Sequence, residues 1–188
     1  MEAAATDIEK VRLLLSRKAD VRARTKLGND ALLLAARRPG GSAVVKLLLE
    51  HGADPNSRNV FGATPLMAAV AAEDEASVDL LIGAGAGLDA SPNPDLPGFL
   101  YGGGRTPLMW AAFRRNAVLA GKLLQHGAKV DAFTGVGSAL TQAAWVSDAM
   151  MARLLLEAGA DPAQALAFSH LPDAGPKRWQ FRHAGGPA

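Results

Sequence analysis

The chain has 188 residues, of which 49% are hydrophobic, 5% are aromatic and 20% are charged, and its formal net charge is +2. This balance excludes a chain that is disordered by composition, and the lack of cysteine excludes disulfide scaffolds and thiolate zinc sites. No apolar run reaches the roughly 18 residues of a membrane-spanning helix, and the small net charge argues against a nucleic-acid-binding protein.

Leucine-rich helices are predicted at regular intervals along the chain. Each run of two or three aliphatic residues is followed by an alanine, at Ala19, Ala53, Ala86, Ala128 and Ala160. These alanines are spaced about 33 residues apart, except for one interval of about 42. Within the runs, apolar residues such as Val44, Leu47 and Leu48 recur at helical spacing. The chain is therefore predicted to be a repeat array.

A second recurring segment predicts where another helix begins in each unit. It reads Thr-Pro-Leu-Met from Thr64 and again from Thr106, and weaker copies begin at Asp30 and Ser138. All four of these residues can accept a hydrogen bond from a first-turn backbone N–H, and proline suits the first helical position. Each unit is then a pair of helices with a turn, which cannot bury its apolar face without a neighbour.

The leucine-rich helices are predicted to end at a residue with left-handed backbone, which favours glycine. Gly52, Gly127 and Gly159 occupy this position in their units. Lys18 occupies it in the first unit, where a side chain makes the left-handed conformation unfavourable. We therefore expect backbone strain at Lys18.

Together, the two segments resemble the repeat of the ankyrin family, which carries Gly-x-Thr-Pro-Leu-His-x-Ala-Ala and a later Leu-Leu-x-x-Gly-Ala. The resemblance covers about residues 8–161. It implies an all-α ankyrin-repeat solenoid over residues 1–168, with about four full units plus an N-terminal half-unit. The units fall near residues 1–24, 25–58, 59–90, 101–132 and 133–162.

The family's histidine is the main departure from this pattern. Its position is occupied by Leu33, Met67, Met109 and Thr141. We therefore do not expect the hydrogen-bond network that the histidine makes in the family.

Two segments fall outside the repeat pattern. Residues 89–104 are rich in glycine and contain three prolines, which disfavour a regular helix or strand. We predict an extended loop there. Residues 169–188 are predicted to form a mobile C-terminal tail.

The resemblance implies a non-enzymatic module that binds another protein through its concave face, its finger turns and the inserted loop. The family's contact positions precede each Gly-x-Thr segment or follow each Ala-Ala pair. In this sequence they are Lys26, Leu27, Asn29, Arg37, Arg38, Val60, Phe61, Tyr101, Arg105, Phe113, Arg114, Phe133 and Trp145. Tyr, Trp and Arg are the residue types that dominate interface energetics.

Other roles for some of these residues stay open at this point. Phe61, Phe113 and Trp145 could instead seal gaps between neighbouring units. Trp110 is expected in the core or between units. A basic cluster near the first two turns is expected to be a solvated face, with an acidic partner as the alternative; its members are Arg17, Lys18, Arg22, Arg24, Lys26 and Arg58.

No catalytic, cofactor or metal site is predicted. The sequence contains no Gly-x-Ser-x-Gly and no His-Glu-x-x-His motif. The histidines His51 and His126 share one repeat position, away from carboxylates. The recurring aspartates are expected to hydrogen-bond turn backbone; they are Asp54, Asp89, Asp131 and Asp161.

The predicted function is therefore protein–protein interaction without enzymatic activity, without a cofactor and without membrane association. We expect a monomer, and the compartment stays open with the cytoplasm favoured. One alternative is a regulatory or scaffolding segment of a larger multidomain enzyme. Another is a nucleic-acid binder that uses the basic turns, which the small net charge disfavours.

Overall fold

The fold is a stack of helix pairs. The computed structural model describes residues 2–92 and 104–164, with side chains from residue 8 onward. The helices are α1 (Glu2–Ser16), α2 (Ala31–Ala36), α3 (Ser42–Glu50), α4 (Pro65–Ala71), α5 (Glu75–Gly83), α6 (Pro107–Phe113), α7 (Ala117–Gln125), α8 (Ala139–Trp145) and α9 (Ala149–Glu157). The parts of the chain described contain no β-strand, only an isolated bridge between Thr134 and Gly137.

The first helix of each full unit, α2, α4, α6 or α8, begins at the predicted cap. The side chains of Asp30, Thr64, Thr106 and Ser138 each accept a hydrogen bond from the backbone N–H three residues later. At Ser138 the bond is reciprocal, because the Thr141 hydroxyl accepts from the backbone N–H of Ser138. Such caps stabilise a helix by about 1 kcal/mol each. The prediction from the sequence is confirmed at all four positions.

The second helices α5, α7 and α9 begin at caps that the sequence analysis missed. The side chains of Asp74, Asn116 and Asp148 accept from the backbone N–H groups of the first turn. The residue before each cap has left-handed backbone; these residues are Glu73, Arg115 and Ser147, with φ of 56°, 60° and 54°. The tight turn inside each of these units is therefore made without glycine.

The predicted left-handed closing residues are present at the end of the second helices. Gly52, Gly127 and Gly159 have φ of 82°, 91° and 93°, and Lys18 has φ of 61°. A side chain at such a φ raises the energy of the folded backbone by about 1 kcal/mol. The strain expected at Lys18 therefore exists in the structure.

The core contains one leucine from each first helix and one from each second helix, at constant repeat positions. They are Leu32, Leu66, Leu108 and Leu140, and Leu48, Leu81, Leu123 and Leu155. The first helices pack in one row, α2 on α4, α4 on α6 and α6 on α8. Each unit therefore extends one continuous aliphatic core.

The N-terminal half-unit differs from the units that follow it. It contributes the single helix α1, which packs against α3. Leu14 occupies the repeat position of Leu48, yet 58% of Leu14 is exposed against 2% of Leu48. No first helix covers Leu14 among the described residues, and the half-unit stays a prediction.

Hydrogen bonds between turns tie successive units together. The side chains of Asn56, Asp89 and Asp131 accept from the backbone N–H of Gly87, Lys129 and Asp161 in the next unit, at 2.7, 2.8 and 2.9 Å. Two further aspartates, Asp54 and Asp161, accept from the N–H two residues later in their own turns. The predicted backbone-bonding role of the aspartates is thus confirmed, in two distinct forms.

Two predicted segments lie largely outside the described residues. Of the extended loop predicted at 89–104, residues 93–103 are not described, and the tail predicted at 169–188 lies beyond residue 164.

Candidate functional site

The predicted contact residues are placed at different depths by the structure. Lys26, Leu27, Arg37, Arg38, Val60, Arg114, Phe133 and Trp145 are exposed. Phe61, Arg105 and Phe113 are half-buried. Asn29 is buried, and Tyr101 lies outside the described residues.

The placement of Asn29 corrects one prediction from the sequence. Its side chain is 7% exposed, and its Oδ1 accepts a hydrogen bond from Nδ2 of Asn59 in the next finger, at 2.9 Å. The Oδ1 of Asn59 in turn accepts from the backbone N–H groups of Phe61 and Ala63. Asn29 therefore fixes one finger against the next, and little of its surface is exposed.

Four side chains at the end of α6 and in the finger before it form what we call the aromatic–arginine cluster: Arg105, Trp110, Phe113 and Arg114. The rings of Trp110 and Phe113 meet edge to face, with centroids 6.0 Å apart and planes at 78°. The guanidinium of Arg105 lies over both rings, 4.2 Å from the Phe113 centroid and 5.5 Å from that of Trp110. Arg114 approaches Trp110 to 5.8 Å. Cation–π contacts of this kind orient the side chains against one another.

Arg105 also connects this cluster to the next unit. Its Nε donates to Oε1 of Gln142 at 2.9 Å, and Nε2 of Gln142 donates to the carbonyl of Val136. Burial lowers the pKa of Arg105 from its ordinary value, yet arginine stays charged at neutral pH. The buried amide and the two ring faces therefore hold a fixed positive charge beside Phe113.

Beside the cluster lies a concavity of about 200 Å³, which we call the alanine hollow. It is lined by Arg37, Ala63, Met67, Ala68, Ala71, Ala72, Trp110 and Arg114. Ala63 and Met67 are buried, whereas Arg37 and Arg114 are exposed. The hollow exists because alanine occupies positions 68, 71 and 72, in α4 and at its C-cap, where the next unit has Trp110, Phe113 and Arg114.

Trp110 has a role that the sequence analysis missed. It packs against the core, as expected, but it is only half-buried and it also forms a wall of the alanine hollow. Its buried Nε1–H has no hydrogen-bond acceptor among the described residues. The signal was present in the sequence, because the same repeat position contains Leu34, Ala68 and Gln142, none of which is aromatic.

Ion pairs link the third full unit, at residues 101–132, to its neighbours. Nζ of Lys122 on α7 lies 2.7 Å from Oδ2 of Asp79 and 3.5 Å from Oε2 of Glu75, both on α5. The hydrogen bond to Asp79, with the nearby negative charges, raises the pKa of Lys122. Arg114 lies 4.0 Å from Glu73 on one side, and Arg115 lies 3.5 Å from Asp148 on the other.

The basic turns near the N-terminus contact neighbouring units through backbone carbonyls. Nη1 of Arg24 donates to the carbonyl of Arg58 at 3.3 Å, and Nη1 of Arg58 donates to that of Ser91 at 3.4 Å. A concavity of about 460 Å³ nearby contains Arg22 and Arg24 together with Asp30 and Asp54. Its mixed charge fits a solvated face better than an anion site.

The described part of the chain shows neither a metal-ligating group nor a membrane span. No three His, Asp or Glu side chains within it come together in a way that could hold a metal ion. None of its helices has the length and apolar character needed to cross a bilayer.

Stacked helix pairs with capped first helices define an α-solenoid repeat protein. A family model described as "Ankyrin repeats (3 copies)" matches residues 1–94, and a second, "Ankyrin repeat", matches residues 103–134. The chain belongs to the ankyrin-repeat family. Ankyrin repeats are non-enzymatic modules that generally mediate protein–protein interaction.

Several curated proteins are similar to the chain over most of the array. Human neurogenic locus notch homolog protein 2 is 36% identical over 151 residues, 79% of this chain and 6% of its own length. The mouse RelA-associated inhibitor is 34% identical over 111 residues, 59% of this chain and 12% of its own. A transient receptor potential cation channel subfamily A member 1 homolog of Caenorhabditis elegans is 32% identical over 106 residues, 56% of this chain and 8% of its own. The chain thus spans a small part of each relative.

Proposed function

We propose that the chain is a non-enzymatic protein–protein interaction module whose binding surface combines the ends of the first helices with the finger turns. This recognition surface consists of the predicted contact residues, without Asn29 and with Trp110 added. Tyr101 and the inserted loop remain a prediction. The observation that carries the proposal is the aromatic–arginine cluster beside the alanine hollow.

The side chains of this surface are of the types that supply most binding energy in interfaces. Trp, Tyr and Arg are enriched among residues whose truncation costs about 2 kcal/mol or more of binding. The cluster brings Arg105, Trp110, Phe113 and Arg114 together at one place. Trp145 is exposed at the end of α8, the helix that packs against α6.

The core supports this interpretation, because it is complete without the exposed rings. Every described full unit has a buried leucine at the constant position of its first helix and another at that of its second helix. Trp145 and Phe133 lie outside that set and stay exposed. Exposed apolar side chains of this size indicate an interaction site where they form a contiguous patch, and the cluster supplies such a patch in Trp110 and Phe113.

The cluster is also preorganised for binding. Arg105 is fixed by Gln142 and by two rings, so little side-chain freedom is lost when a partner covers it. Less entropy lost on association leaves more of the contact energy as affinity.

A regulatory or scaffolding role inside a larger enzyme remains the alternative. The relatives favour a role as part of something longer, since the matched region covers 6 to 12% of each. The RelA-associated inhibitor is named for an association with another protein. In either case, the proposed contact surface is the same.

The test compares two double variants in the same two units. Phe113→Ala with Trp145→Ala truncates the recognition surface, whereas Val118→Ala with Met150→Ala truncates exposed apolar residues on the second helices α7 and α9. Proteins captured by the wild-type array should be lost with the first variant and retained with the second. Equal capture by both variants would contradict the proposed surface, and thermal melts check that both remain folded.

A further inference from the structure

We propose that the alanine hollow is a specificity pocket, which takes one aromatic or leucine side chain from an acidic peptide segment of the partner. This inference rests on the proposed function and adds the chemical class of the partner. It follows from three properties of the hollow: its size, its apolar floor and the charge of its rim.

The size fits a single large apolar side chain. An apolar cavity of about 150 Å³ accommodates a benzene molecule, and the alanine hollow has about 200 Å³. Its floor and walls are formed by alanine methyl groups, the buried side chain of Met67 and the ring of Trp110. An inserted ring would contact methyl groups and a thioether, both of which pack well against aromatic side chains.

The rim is positively charged. Two of the eight lining residues are arginines, Arg37 and Arg114, and none is acidic. Arg37 already makes an interaction within the chain, so Arg114 is the residue whose charge is offered to a ligand. Arg114 has Glu73 at 4.0 Å, with both side chains about half exposed, and such a pair contributes little energy. A carboxylate next to the inserted side chain would therefore gain an attraction that Glu73 satisfies only weakly.

A peptide fits these features better than a nucleic acid. Single-stranded nucleic acids bind along positively charged grooves in which several aromatic side chains stack successive bases. Here one hollow is bounded by one indole, and the net charge of the chain is only +2. A single apolar side chain with adjacent carboxylates is the simplest ligand that matches.

The experiment measures the binding of defined peptides to the full chain by calorimetry. The probe is acetyl-Gly-Asp-Glu-Phe-Glu-Asp-Gly-amide. One control peptide replaces Phe with Ser, and a second replaces every carboxylate with the corresponding amide. Decathymidylate serves as the nucleic-acid probe. We expect the Ser peptide to bind about thirty-fold more weakly and the amide peptide about ten-fold more weakly than the probe.

Two sets of variants assign the binding to the hollow. Ala71→Phe should fill it, and the fold should accept the change because Phe113 stands at the same position in α6. The matched control is Ala76→Phe, which adds the same ring at an exposed position of α5. Arg37→Gln with Arg114→Gln removes the rim charge from exposed positions, where unfolding is not expected.

The expected result is that Ala71→Phe loses the probe, the arginine double variant binds it about ten-fold more weakly, and Ala76→Phe binds it like the wild type. Equal binding of the Phe and Ser peptides, or unchanged binding by Ala71→Phe, would overturn the proposal. So would tighter binding of decathymidylate with the same dependence on the variants. If Phe113→Ala with Trp145→Ala still abolishes partner capture while Ala71→Phe does not, the proposed function stands and the pocket falls.

Discussion

The second and third full units, at residues 59–90 and 101–132, share one backbone design but present different surfaces. Both begin their first helix with Thr-Pro-Leu-Met, capped by Thr64 in one and by Thr106 in the other. Both bury the leucine at the same position, Leu66 or Leu108. Yet α4 ends in small residues that leave the alanine hollow, whereas α6 carries the aromatic–arginine cluster beside it.

This difference separates the residues that make the stack from those that make the surface. The caps, closing residues and leucines recur because every unit must present the same faces to its neighbours. The residues at the ends of the first helices differ between units, and they are not fully buried. A contrast of small and large side chains between adjacent units then creates a concavity without any change in backbone.

The largest expected effect comes from the shared core positions. Leu66→Ala and Leu108→Ala should each lower the free energy of unfolding by about 3 kcal/mol, because each leaves a cavity in the core. Urea unfolding measures both, with Val118→Ala as the exposed control. A large loss of unfolding free energy for one variant and almost none for the other would show that the two leucines do not have the same structural role.

The closing residues give the next effect. Lys18→Gly should stabilise the array by up to about 1 kcal/mol, since Lys18 has φ of 61°. The reciprocal change, Gly52→Lys, should cost a similar amount; a Cβ at Gly52 meets nothing within 4 Å, so only the left-handed backbone opposes it. Thermal melts decide, and a stabilising effect of Gly52→Lys would contradict the account.

The smallest effect concerns the ion pairs that join the second and third units. Lys122→Met should cost about 0.5 kcal/mol at neutral pH and low salt, because the contacts with Asp79 and Glu75 are exposed to solvent. The pKa of Lys122 is raised in the folded state. Its contribution is therefore complete below the unfolded-state pKa and disappears as the pH rises through the folded-state pKa.

Melts of the wild type and of Lys122→Met at neutral and strongly alkaline pH measure this contribution. The difference between the two proteins should narrow in 1 M NaCl and at alkaline pH. A difference that persists unchanged under both conditions would show that the lysine stem, and not its charge, links the units.

The repeating features were predictable from the sequence because each is a local rule. A threonine before a proline predicts a helix N-cap, and a glycine after a leucine run predicts the left-handed residue that ends a helix. The caps at Asp74, Asn116 and Asp148 were missed although aspartate and asparagine are preferred cap residues, because the left-handed residues before them are not glycine and so do not mark the turn.

The site was harder to predict than the fold, because it depends on contacts between units. Asn29 was assigned to the surface from its position in the finger, but Asn59, thirty residues later, buries it. Arg105 was identified, whereas its acceptor Gln142 was not. Trp110 was assigned to packing alone, although it also faces a hollow that exists only because Ala68, Ala71 and Ala72 are small.

The central claim is that the aromatic–arginine cluster binds the partner, whereas the caps, the closing residues and the buried leucines stabilise the fold. The triple variant Trp110→Ala, Phe113→Ala and Arg114→Ala gives α6 the same three alanines that α4 has, so it tests this claim directly. We predict that partner capture is lost and that the helical signal and a cooperative melt are retained, at a lower midpoint because Trp110 and Phe113 are half-buried. Retained capture would contradict the account, because the cluster would then be irrelevant to binding. Loss of the folded state would also contradict it, because the cluster would then be needed for the fold.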